Sequence, residues 1–359
     1  MIKKLTLILI GLLVFAKFYA QEDKKVIMAY YAGNHEQIKK YPVEKLTHII
    51  YSFLRLNGNR LFINPNNNDD LNLKTLSDLK QNNPHLKIMV AFGGWAGCES
   101  CSDIFSSDKN RIAFAKSVKK VLEIYNLDGI DLDWEYPAIQ GEIGHAFKPE
   151  DKQNFTALIQ ELRNQLGENY EISFAAGIGE EFREQSVEWD KVMPLVNHVN
   201  LMTYDIVHGG STFTGHHTNL LSTPQQALSV DYGVKKLIEL GVPAQKIVIG
   251  AAFYARVFDV KSSANKGLYQ EGSPQGDFLY RNSELELEGY EIYWDETAQA
   301  PYGFNAKKNT FITYDNPKSV ALKADYVGQN KLKGIMFWEL TQDKEKYGLL
   351  DTIYQRIHK

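Results

Sequence analysis

Cysteine is nearly absent from this chain: 359 residues carry two, Cys98 and Cys101. Two thiolates cannot complete a four-cysteine zinc site, and one pair cannot staple a fold of this length, so a hydrophobic core has to hold it. Long hydrophobic runs are also missing where one would matter most. The apolar run Leu5 to Ala16 is about twelve residues, and a spanning helix needs roughly 20. There is no excess of positive charge either. Lys and Arg number 40 against 44 Asp and Glu, a formal charge of −4, which argues against a nucleic-acid partner. No internal repeat or long low-complexity tract occurs, and the Asn-rich segment Asn64 to Asp70 reads as a loop.

What is present begins with Met1-Ile2-Lys3-Lys4, the apolar run, and Lys17-Phe18-Tyr19-Ala20. That order of basic, apolar and small-residue regions predicts a signal peptide over residues 1–20 and hence a secreted protein, extracellular or periplasmic. Its removal takes away Lys3, Lys4 and Lys17 and leaves the remainder more acidic. Downstream, short β-branched or aromatic runs alternate with longer stretches of helical period. Eight strands are expected: Val26 to Tyr31, Thr47 to Phe53, Leu86 to Phe92, Gly129 to Trp134, Tyr170 to Ala176, His198 to Tyr204, Lys246 to Phe253 and Gly334 to Glu339. Helical candidates between them include Leu71 to Gln81, Asn110 to Tyr125, Asp151 to Leu166, Pro224 to Leu240 and Pro317 to Asn330. Eight such units predict an α/β protein, a closed (β/α)₈ TIM barrel over residues 21–257 and 310–359.

The rhythm breaks between the seventh and eighth strands. Residues 258–309 are too many for one crossover helix, and they carry Tyr269, Phe278, Tyr280, Tyr290, Tyr293, Trp294 and Tyr302. That much aromatic surface favours packing over disorder, so a small α+β insertion is expected there.

The densest chemistry lies in Asp128-Gly129-Ile130-Asp131-Leu132-Asp133-Trp134-Glu135-Tyr136-Pro137. Side chains alternate along a strand, so Asp131, Asp133 and Glu135 share one face, which in a barrel is the interior. Like charges crowded in a low-dielectric core raise one another's pKa, and at least one carboxyl keeps a proton at neutral pH. This is how a general acid is made. Glu135 falls at the strand end, where barrel active sites sit. Alone, the same acids could also line a solvated edge or hold a hard cation.

This segment resembles the signature of glycoside hydrolase family 18, D-G-x-D-x-D-W-E-Y-P, at every position. The resemblance implies that Glu135 protonates the glycosidic oxygen, that Asp133 holds the N–H of the substrate's acetamido group, that Asp131 shares a proton with Asp133, and that Asp128 is structural. It also implies substrate-assisted retention, in which the acetamido oxygen attacks the anomeric carbon and no separate enzyme nucleophile exists. Other strand ends follow the family's order. Tyr30 and Phe53 match aromatic positions lining the sugar site. Gly93-Gly94-Trp95 resembles S-x-G-G-W, with Ala91 in place of the serine whose hydroxyl usually reaches the buried acids. Met202-Thr203-Tyr204-Asp205 resembles M-x-Y-D, which implies that the Tyr204 hydroxyl bonds the acetamido carbonyl and that Met202 and Asp205 line the sugar. Tyr254-Ala255-Arg256 resembles Y-G-R, making Arg256 a sugar contact, and Trp338 falls on the family's floor tryptophan. The likeness runs from about Val26 to Gly348 and implies a chitinase acting on chitin or N-acetylglucosamine oligosaccharides. It implies no cofactor and no metal, and a monomer is expected.

Export favours a disulfide between Cys98 and Cys101. His208, His216 and His217, in the Gly-bearing loop after the sixth strand, are expected to be exposed and without a role. Three other readings stay open at this point: a sugar-binding lectin, an endo-acting enzyme on N-linked glycans, and a metal-dependent barrel enzyme.

Overall fold

The computed structural model describes residues 24–359, so the expected signal peptide lies outside the described residues. Strand β1 (Val26–Tyr31) shows how the barrel is built. All six residues are buried; Met28 and Tyr30 join the interior cluster while Ile27, Ala29 and Tyr31 join the core under the helices. A strand buried on both faces reads as an unbroken apolar run. The same logic forms β2 (His48–Asn57), β4 (Lys87–Gly93), β5 (Gly129–Asp133), β6 (Glu171–Gly177), β7 (His198–Met202), β8 (Ile247–Ala252) and β14 (Gly334–Trp338). These eight pair in parallel, in the order β1-β14-β8-β7-β6-β5-β4-β2, and β1 pairs with β2 to close the ring. A short strand, β3 (Arg60–Phe62), runs antiparallel to β2 outside the barrel.

Helices cover the outside with apolar stripes. In Asp108–Tyr125 the buried positions Phe114, Ala115, Val118, Val121, Leu122 and Tyr125 recur at three and four, and Asn126 ends the helix in the left-handed region at φ 52°. The helix Pro317–Gln329 starts on a reciprocal cap: Asn316 accepts from the Ser319 amide at 3.0 Å and Ser319 returns an acceptor to the Asn316 amide at 2.9 Å. At the end of the barrel opposite the strand C-termini, His48 lies 3.0 Å from Glu171. Neighbouring His198 is pushed down to about 3 by burial and is therefore neutral.

Between β8 and β14 lies a five-stranded antiparallel sheet in the order β10-β9-β13-β12-β11. It comprises β9 (Tyr254–Val260), β10 (Gly272–Leu279), β11 (Glu291–Asp295), β12 (Ala300–Asn305) and β13 (Thr310–Tyr314), with a short helix at Ser283–Glu286. The sheet therefore begins and ends outside the span 258–309 expected for it. Only Phe253 separates β8 from β9, so the barrel strand runs almost directly into the sheet. One face packs Phe258, Leu268, Phe304 and Phe311 with Val207 of the loop after β7; the other packs Ala255, Phe278, Ile312 and Tyr314. The position of this sheet also corrects the expectation for two histidines. His216 and His217 are fully buried, because the loop carrying them is clamped under the insertion: His216 lies 3.1 Å from Asp295 and Thr214 donates to the Gln270 carbonyl. Only His208 stays exposed, as expected.

The return of the insertion to the barrel rests on a buried ion pair. Lys323 and Asp315 are 2.5 Å apart, and both side chains have zero exposure. Asp315 also accepts from the Ala252 amide at 3.0 Å, tying the chain after β13 to the mouth of β8. Removing one partner of such a pair strands the other charge in the core. Lys323→Met should therefore lower the free energy of unfolding by about 3–5 kcal/mol, measured by denaturant titration.

Candidate active site

Strand β5 places the acids. Asp131, Asp133 and Glu135 are all buried, and Leu132 and Trp134 point into the outer core instead, so the alternation required by strand geometry holds. Three non-proline cis peptide bonds, Ser52–Phe53, Glu135–Tyr136 and Trp338–Glu339, lie at this same end of the barrel.

The three carboxyls stand in different surroundings. Asp131 is the deepest, and both its oxygens are occupied: Oδ2 accepts from the Tyr30 hydroxyl at 2.8 Å, and Oδ1 from Ser173 at 2.6 Å and Asn200 at 3.0 Å. Burial raises its pKa, and those three hydrogen bonds work against the rise. Asp133 is raised further, first by burial and then by the charges of Glu135 and Asp131, with Arg55 opposing. Its Oδ1 is buried without a partner. Glu135, nearest the mouth, is pushed up to about 7, chiefly by burial and in part by the charge of Asp205. A carboxyl with that pKa can both hold and give a proton at neutral pH.

The sharing of a proton between Asp131 and Asp133 stays an expectation of the family resemblance. The oxygens of Asp131 face Tyr30, Ser173 and Asn200, and no hydrogen bond joins the two acids. Asp128 is outside the site; it accepts from the Ile88 amide at 2.7 Å and pairs with Lys80 at 3.0 Å.

Around the acids the strand ends supply a polar and aromatic cup. Gly93, at φ 111°, lets the backbone press against the end of β5: a Cβ there would sit 2.1 Å from the Asp133 carbonyl oxygen. That carbonyl accepts from the Gly94 amide at 2.8 Å. Arg55 of β2 donates to the Gly93 carbonyl from below this turn, and the turn carries Trp95, which is 51% exposed with its ring 6.4 Å from Tyr136. Cys98 and Cys101 form a disulfide in the loop that follows. Across the barrel, Tyr204 is buried with its hydroxyl 3.8 Å from the Met336 sulfur. Its ring fits because position 250 is glycine; a Cβ there would lie 2.7 Å from a ring carbon.

Asp205 follows in the left-handed region at φ 55°, a conformation aspartate tolerates better than most residues. It pairs with Arg256 of β9 at 2.6 Å, so the first strand of the insertion contributes directly to the wall. Phe53 stacks on Trp338 with centroids 5.4 Å apart and planes 18° off parallel, and Tyr30 tilts against the same indole at 5.8 Å. Met202 and Trp338 are both partly buried and pack against the interior cluster that holds Tyr30 and Tyr204.

The catalytic and sugar-lining residues singled out from sequence thus gather at one end of the barrel, and Asp128 does not. Sequence reasoning did not single out Ser173, Asn200, Arg55 or Tyr254. Tyr254 packs its ring 6.3 Å from that of Tyr204. The signal for Ser173 and Asn200 was partial: each is a small polar residue within a predicted strand, but its height relative to the acids is set by the strand pairing.

A flat aromatic surface beside a carboxyl that titrates near 7, with donors and acceptors converging from several strands, is equipped to hold a sugar ring and protonate the bond leaving it. Comparison with known proteins agrees. The family model of the glycosyl hydrolases family 18 matches residues 26–343. Chitinase A1 of Niallia circulans is 35% identical over 302 residues, 77% of this chain, and the chain spans 43% of that relative's length. Among solved structures, a chitinase from Bacillus thuringiensis superposes with a TM-score of 0.87 at 27% identity, covering 93% of this chain and 70% of the other. A family 18 N-acetylglucosaminidase from Paenibacillus barengoltzii gives 0.83 at 37% identity, over 92% of this chain and 99% of the other. The chain belongs to glycosyl hydrolase family 18.

Proposed function

We propose that this protein hydrolyses β-1,4 linkages between N-acetylglucosamine units, in chitin or its oligomers, with retention at the anomeric carbon. The observation that carries the reading is the row of buried carboxyls along β5 and just past its end, with the one of pKa about 7 at the mouth. Glu135 gives its proton to the glycosidic oxygen as that bond breaks. The acetamido oxygen of the sugar on the non-reducing side of the cleaved bond forms the new bond to the anomeric carbon, giving a cyclic oxazolinium-type intermediate. Asp133, with its free Oδ1, accepts the acetamido N–H and so steadies the positive charge on that group. Tyr204 donates its hydroxyl to the same acetamido carbonyl and aligns it for attack. Water then opens the intermediate, and Glu135 takes back a proton from it. Phe53, Trp95 and Trp338 carry sugar rings by stacking, while Asp205, Arg256, Met202, Gly94 and Tyr30 line the cup.

A chitin-binding role without catalysis is disfavoured by the retained Glu135 and Asp133. The insertion wall through Arg256 favours a deep cleft for a linear chain over a glycan attached to protein. Export through the segment 1–20 belongs to the same proposal; among the described residues no helix is long and apolar enough to cross a membrane.

Product analysis on N-acetylglucosamine oligomers of increasing length tests the reading, and it also separates release of single sugars from release of longer fragments. In the Glu135→Gln control, kcat should fall by at least about 10²-fold, the usual contribution of a general acid, while oligomer binding by calorimetry stays near that of the wild type. Near-normal turnover would remove Glu135 from its role. The pKa of Glu135 sets a second expectation. Its acid form is lost as pH rises through about 7, so the basic limb of kcat/KM should have its midpoint near there. The rate at two pH units above that midpoint should be roughly 10²-fold lower, in proportion to the protonated fraction. A profile flat across that range would count against Glu135 as the proton donor.

A further inference from the structure

The register of the sheet sets two neighbours beside Asp131, Ala91 on β4 and Ser173 on β6. Adjacent strands lie about 4.8 Å apart, so either position can present a side chain to the acid. Ala91 has no polar atom to offer. Ser173 is fully buried, and its hydroxyl is 2.6 Å from Asp131 Oδ1.

We propose that Ser173 is a positioning residue that fixes the negative charge of the acidic strand on Asp131, supplying from β6 the hydroxyl that position 91 on β4 does not provide. The inference rests on the family 18 reading of Asp133 and Glu135.

The direction of the hydrogen bonds follows from the donors present. The Asn200 amide donates to the Tyr30 hydroxyl at 3.2 Å, which commits the single hydroxyl proton of Tyr30 to Asp131 Oδ2. The same amide nitrogen donates to Asp131 Oδ1, while Asn200 Oδ1 has no partner. Three donors on one carboxyl favour its ionised form.

Burial works the other way and favours the neutral acid. With one donor fewer, Asp131 would compete for the proton that Asp133 and Glu135 must hold between them. It would keep that proton at the bottom of the barrel, out of reach of a sugar. The charged and titratable groups facing this point are Tyr30 from β1, Asp133 and Glu135 on the same strand, and Tyr204 beyond β7. Arg55 of β2 acts on Asp133.

The test compares Ser173→Ala, Ser173→Thr and the double variant Ala91→Ser/Ser173→Ala, each by kcat/KM against pH on N-acetylglucosamine oligomers. Loss of the donor raises the Asp131 pKa, so uptake of the inhibitory proton begins at higher pH. The acid limb of Ser173→Ala should move up by about one pH unit, as for one lost hydrogen bond to a charged group. Ser173→Thr should keep the wild-type limb, and the double variant should restore it. A Ser173→Ala profile that is unshifted, or lowered equally at all pH values, overturns the proposal; so does a shift of the same size in Ser173→Thr. If Ser173→Ala does not fold by circular dichroism, Ser173→Cys keeps the volume, weakens the donor and carries the same test. Carboxyl ¹³C NMR of Asp131 needs no substrate: its titration should move upward in the variant. That readout still judges Ser173 if the wild type cleaves no oligomer, an outcome that would instead defeat the functional reading.

Discussion

Three carboxyl groups on one face of one buried strand are the constraint around which the rest of this protein is arranged. Water is excluded there, so each charge has to be neutralised, paired or fed with donors. The molecule does a different thing for each acid. Asp131 receives donors from three other strands. Asp133 keeps an oxygen free beside the charge of Arg55. Glu135, at the edge, is left to titrate near neutrality. Three unlike surroundings for neighbouring acids are thereby built from the whole ring, and only a closed barrel brings β1, β6 and β7 to bear on β5 at once.

Much of this was legible in the sequence, for reasons of period. Strands buried on both faces leave continuous apolar runs, and Val26–Tyr31 falls where such a run predicts it. The helix Asp151–Leu166 also coincides with its apolar stripe. The acids could be assigned to one face because alternation in a strand is strict.

What was not legible depended on contacts between distant segments. His216 and His217 sit in a loop with the composition of an exposed turn, but the insertion covers them, and nothing local reports that burial. The extent of the insertion was misjudged for a related reason. The barrel was expected to run to residue 257, whereas in three dimensions Tyr254 to Val257 pair with β10 and β13. The partners of Asp131 were missed because register is a property of pairs of strands. Ala91 looked like a lost hydroxyl until Ser173 was found on the other side of the same acid.

The near-continuity of β8 and β9 has a consequence for how a ligand would be recognised. With one residue between barrel and insertion, and Asp315 pinned to the Ala252 amide at that junction, floor and wall are joined without an intervening loop. A groove joined so directly offers its guest a shape largely set before contact. Little of the binding free energy is then spent on ordering the protein. A stiff polymer presenting the same cross-section at every unit suits a groove of this kind, because each step along it meets the same fixed profile.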